Sequence, residues 1–126
     1  MKTIITTDKA PAPIGPYNQA VLSGNTLYTS GQVAFHPETM ELITSDIKTE
    51  TTQVMKNLKA VLEAAKMTFE NVVKTTIYIS DMDNFSKINE AYGKYFNDDT
   101  APARETIQVA RLPKDVNVEI SMIAVK

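Results

Sequence analysis

Two periods of apolar and polar residues alternate along this chain, and each switch between them marks a new element. A period of two marks strands. Thr26, Tyr28, Ser30 and Gln32 alternate with Leu27, Thr29, Gly31 and Val33, and Tyr17–Leu22 precedes them across Ser23-Gly24-Asn25. That turn chemistry predicts a hairpin. A first short strand is predicted near Ile4–Thr6. Val72–Ser80 is rich in β-branched residues, with Val73, Thr75, Ile77 and Ile79 predicted on one face and Val72, Lys74, Thr76, Tyr78 and Ser80 on the other. Glu105–Leu112 and Val116–Val125 read as two closing strands around Pro113-Lys114-Asp115.

Steps of three and four mark helices. Ile47, Thr51, Val54, Leu58, Val61, Leu62 and Ala65 form one stripe, capped by Ser45 or Asp46 and ending near Lys66. Phe85, Ile88, Tyr92 and Tyr95 or Phe96 form a second stripe, capped by Asp81 or Asp83 and ending near Phe96. Pro11, Pro13 and Pro16 bar both helix and ladder, which predicts a stiff loop that delivers Tyr17.

The order β-β-β-α-β-α-β-β predicts one α+β domain over residues 1–126, a mixed sheet with both helices on one face. The last strand then poses a problem. Val116, Val118, Ile120, Met122 and Ala124 make one apolar face, yet the opposite face carries Asn117, Glu119, Ser121, Ile123 and Val125. That half-apolar face has no helix left to cover it, so a second subunit is expected there. Glu119 is then expected near an interface, partly out of water. An edge position facing solvent is the other reading.

Composition narrows the chemistry. The 126 residues include no cysteine and one histidine, with a formal net charge of −2. Disulfides, thiolate nucleophiles and zinc–cysteine sites are excluded. The basic residues are scattered, which argues against a nucleic-acid or anionic-membrane surface. Lys56, Lys59 and Lys66, interleaved with Glu50 and Glu63, read as a solvated helix face. No apolar run approaches a membrane span, and the start lacks a secretory pattern, so the expected location is cytoplasmic. His36 has no second ligand at metal-binding spacing, and Ser30 has no nucleophile elbow.

An arginine and a glutamate remain. Arg104 follows Pro102-Ala103 and suits two-point capture of a small carboxylate. Glu119, set among valines and isoleucines, suits steering of a water or proton. Tyr17, Ser30 and Asn89 are candidates to line a polar pocket. Gly31 marks either room for a ligand or a bend in the sheet.

Several separated segments carry a resemblance. They are Ala12-Pro13-Ile14-Gly15-Pro16-Tyr17, Tyr28-Thr29-Ser30-Gly31-Gln32, and Val73–Ile79 running into Asp81-Met82-Asp83-Asn84-Phe85. Pro102-Ala103-Arg104, Val109–Asp115 and Val118-Glu119-Ile120 close the series. The chain resembles the RidA/YjgF family of enamine/imine deaminases from end to end. The resemblance implies a chorismate-mutase-like α+β fold and a homotrimer with clefts between subunits. It implies a hydrolase of 2-imino acids released by pyridoxal-phosphate dehydratases, yielding 2-keto acids and ammonia without a cofactor. By the same likeness Arg104 binds the carboxylate, Glu119 orients the water, and Tyr17, Ser30, Gly31 and Asn89 line the cleft; Thr106 is expected to serve there through its small polar side chain and backbone groups.

Two departures stand out. Glu105-Thr106 replaces the Ser-Cys common after the arginine, which excludes cysteine-dependent chemistry or redox control. Strand alternation is expected to aim Glu105 away from the Arg104 side. Met40 stands where a turn glycine is common, with a change of loop shape expected. Three competing readings accompany the deaminase: a non-catalytic module that binds 2-keto acids, a ribonuclease or translation inhibitor, and a chorismate mutase by fold analogy alone.

Overall fold

A computed structural model describes all of residues 1–126. Six strands form one mixed sheet: β1 (Lys2–Ile5), β2 (Ala20–Ser23), β3 (Thr26–Thr29), β4 (Val72–Ile79), β5 (Ala103–Gln108) and β6 (Val118–Val125). Their spatial order is β1-β2-β3-β6-β4-β5, with β4 and β5 parallel and all other neighbours antiparallel. Helices α1 (Ile47–Ala64) and α2 (Phe85–Gly93) complete the expected order. No helix is long and apolar enough to cross a membrane.

Local chemistry explains the boundaries. Gly24, at φ 59°, turns β2 into β3 in the left-handed region glycine tolerates. Asp46 caps α1, accepting the Thr49 N–H at 2.9 Å and the Thr49 hydroxyl at 2.8 Å. Asp81 caps a 3-10 turn at Met82–Asn84, and α2 starts only after it. β5 begins at Ala103, two residues before the expected start, because Lys74 of β4 already pairs there. Met40 stands in a tight turn. It adopts φ 59° itself, and its N–H still closes the turn onto the His36 carbonyl at 2.9 Å.

The core lies between the sheet and the helices. Val118, Ile120, Met122 and Ala124 of β6 and Thr75, Ile77 and Ile79 of β4 are buried against Val54, Met55, Leu58, Val61 and Leu62 of α1. The predicted faces of β4 need one correction. A bulge lets Val72 pair with Ala124 and Lys74 with Ile123, so Val72 joins the buried face and Val73 is left 49% exposed. Glu50 needs another. It is fully buried, not solvated, because its carboxylate accepts the Asn117 N–H and side-chain amide, each at 2.8 Å, at the entry to β6.

The opposite face is open. A row of Ile4, Val21, Tyr28 and Ile123 crosses four paired strands there, with Ile4 42% and Tyr28 50% exposed. Glu105 also lies on this face, bonded to Thr76 at 2.6 Å and Lys74 at 3.1 Å. It points away from Arg104, as strand alternation requires.

Candidate functional site

The predicted site residues fall into two groups on opposite faces of the sheet. Arg104 pairs in register with Thr75, whose side chain is buried on the helix face. Glu119 pairs with Tyr78, one step out of phase with the buried Ile77–Ile120 pair, and points to the open face. Three residues along β4 and two strand spacings put their Cα atoms about 14 Å apart. A single chain therefore does not bring Arg104 and Glu119 together.

The first group surrounds Glu119. Tyr17, Gly31 and Glu119 line one recess of about 80 Å³, with Phe35 and Lys114 on its wall. Gly31 marks a close approach. A Cβ there would sit 2.5 Å from Glu119 Oε2 and 2.7 Å from its Cδ. The room this glycine leaves is taken by the carboxylate itself. Burial pushes the Glu119 carboxyl above the usual carboxylate range, since water is displaced and no cation pairs with it. Ser30 adjoins the recess but is committed elsewhere: its hydroxyl donates to the Asn18 carbonyl and its N–H to the Gln19 carbonyl.

The second group surrounds Arg104. Its Nη1 donates to Asn89 Oδ1 at 2.7 Å. Its guanidinium carbon lies 5.1 Å from the Tyr92 ring centroid and 5.8 Å from that of Phe85. No carboxylate forms an ion pair with it, so most of its N–H groups remain available to an anion. Thr106, two residues on, shares this face, and its Oγ1 is buried without a hydrogen-bond partner.

The comparisons agree with this architecture. The sequence model of the family described as Endoribonuclease L-PSP matches residues 7–126. A RutC family protein of Pyrococcus horikoshii is 49% identical, over 100% of this chain and 99% of its own. The crystal structure of YyfA of Yersinia pestis, of the conserved Rid protein family, superposes with a TM-score of 0.96 at 44% identity, covering 100% of both chains. The chain belongs to the RidA/YjgF family. TdcF of Escherichia coli, solved with bound serine, is 41% identical with a TM-score of 0.92, over 98% of each chain.

Within this RidA/YjgF domain, four supporting residues escaped the sequence reading. Gln19 is buried and staples the proline loop. Its side-chain oxygen accepts the Thr7 N–H at 2.8 Å, and its amide donates to the Thr7, Ala10 and Pro11 carbonyls at 2.9, 3.2 and 2.8 Å. A polar residue just before the β2 run was its one signal. Lys114 stands in the left-handed region at φ 58°, followed by Asp115 at φ 56°, and this tight turn brings it to the Glu119 recess. Phe85 and Tyr92 show in the sequence only as members of a helical stripe.

Proposed function

We propose that this protein is a cofactor-independent imine deaminase that works as a homotrimer, converting small 2-imino acids to 2-keto acids and ammonia. One observation carries the reading: a guanidinium without an ion-pair partner and a partly desolvated carboxylate are displayed on opposite faces of one sheet. Each is half of a site, and a neighbouring copy on the open apolar face supplies the other half. In this arrangement Arg104, Asn89 and Thr106 come from one subunit, and Tyr17, Ser30, Gly31 and Glu119 from the next. The serine held by TdcF, an α-amino carboxylate, supports a ligand of this class.

The mechanism follows from the groups. The substrate carboxylate accepts two N–H bonds from Arg104. Thr106 reaches the ligand by a turn about χ1, which gives its buried hydroxyl a partner. Water adds to the C=N carbon while Glu119 takes its proton. The same carboxyl returns that proton to nitrogen to give the carbinolamine, then carries the hydroxyl proton to the amine as the C–N bond breaks and the C=O bond forms, so ammonia leaves with the 2-keto acid. A carboxyl held above its usual range suits both proton steps, worth roughly 10²–10⁴-fold. An enamine substrate first tautomerises to the imine. The natural source is a pyridoxal-phosphate dehydratase.

The test couples the purified protein to such a dehydratase and follows 2-keto acid release. The reading expects acceleration by the wild-type protein and none by Arg104→Ala. Ligand binding without acceleration would instead support a 2-keto acid-binding module, the second reading that bound serine in TdcF favours. The ribonuclease in the family description has weaker support here. The net charge is −2, and the one histidine, His36, spends Nδ1 on the Glu38 and Thr39 N–H groups.

A further inference from the structure

The geometry points to Phe85 and Tyr92 as positioning residues that hold the Arg104 guanidinium in place, so that α2 sets how tightly the ligand carboxylate is gripped. This rests on the reading of Arg104 as the carboxylate anchor and adds to it the apparatus that orients the anchor. Residues 85, 89 and 92 are separated by four and three positions, which places them on one helix face. All three lie close to the Arg104 guanidinium. Asn89 takes one N–H edge, and the rings of Tyr92 and Phe85 lie near the guanidinium carbon at 5.1 and 5.8 Å.

The Tyr92 ring is itself immobilised. It is 5% exposed, its hydroxyl donates to Thr75 Oγ1 at 3.0 Å, and Phe96 packs against it at 4.9 Å between centroids. Thr75 is also the β4 partner of Arg104 in the sheet register. Backbone pairing and side-chain contacts thus close a circuit: Arg104 to Thr75 through the ladder, Thr75 to Tyr92 through a hydrogen bond, Tyr92 to Arg104 through its ring. An exposed arginine with no such support samples many rotamers and must be ordered when ligand arrives. Here the ordering is done beforehand, which raises affinity without adding a ligand contact. A lysine at position 104 has no planar group to lie against these rings.

The experiment measures 2-oxobutanoate binding by calorimetry and imine hydrolysis by steady-state kinetics, on the full-length protein. Tyr92→Leu is expected to raise Kd and KM about tenfold and Phe85→Leu about threefold, with kcat within about twofold. Tyr92→Phe, which keeps the ring and loses the Thr75 bond, is expected to raise Kd and KM less than Tyr92→Leu does, while its Tm falls. Phe85 is only partly buried, so Phe85→Leu reports even where Tyr92→Leu does not fold. Loss of binding in Arg104→Ala with unchanged Kd in Phe85→Leu and Tyr92→Leu would overturn the positioning role alone. Full binding by Arg104→Ala would remove the anchor, and the positioning role with it.

Discussion

The Arg104 and Glu119 regions hold opposite charges by opposite means. Arg104 is kept near the surface, with aromatic rings against the guanidinium and one amide at its edge. Glu119 is half-buried, in room that exists because residue 31 has no side chain. The first environment is local: one edge strand and one face of α2. The second gathers the proline loop, the segment after β3, the turn before β6, and β6 itself. A charge whose task is to attract an anion tolerates water and needs orientation. A charge whose task is to exchange protons needs an altered affinity for them. The sheet separates the two, so in the proposed reading each region supplies half of a site.

The sharpest break of this comparison is Arg104→Ala. It removes two charge-assisted hydrogen bonds to ligand, and kcat/KM for imine hydrolysis is expected to fall roughly 10²–10³-fold while sedimentation shows the assembly intact. Gly31→Ala is expected to act on the other region alone. Its Cβ drives the Glu119 carboxylate from its seat, lowering kcat by roughly tenfold or more with little change in ligand Kd. Glu119→Gln sharpens the contrast through pH. The wild-type rate is expected to fall on the acid side, at a midpoint above the roughly 4.3 of an ordinary glutamate, and Gln removes that limb.

Stability shows the same Glu119 effect with a defined sign. A carboxyl whose folded-state affinity for protons is raised favours folding below its unfolded pKa and loses that contribution as pH rises through the folded value. Glu119→Gln is therefore expected to raise Tm at neutral pH, and the gain vanishes in acid. Thr106→Val is the smallest change. Its Oγ1 has no partner, so thermal melts of the free protein are expected to shift upward by the equivalent of about 1 kcal/mol, while ligand affinity drops severalfold.

Much of this was legible from periodicity. Element order, both helical stripes, the Gly24 turn and the half-apolar second face of β6 all follow from it, because each records a side-chain period. The bulge at Val73 was not legible, since an inserted residue changes register without changing composition. Glu50 reads as a surface acid because its partner is Asn117, which lies 67 residues away in the chain. Gln19 and Asn57 were missed for the same reason. Asn57 is buried and donates to the Val33 and Phe35 carbonyls at 3.1 and 3.0 Å, a bond set that exists only after folding. Arg104 and Glu119 stood out singly, but their placement on opposite faces required the register of β5 and β6 against β4.

The shared site is tested most directly by mixing two impaired chains. Arg104→Ala and Glu119→Gln, coexpressed and co-assembled, each retain the half that the other lacks. Sites built across subunits predict recovery of about a quarter of wild-type imine hydrolysis in an equal random mixture, since one junction in four pairs an intact arginine with an intact glutamate. Mixed assemblies no more active than the two variants measured separately would contradict the account.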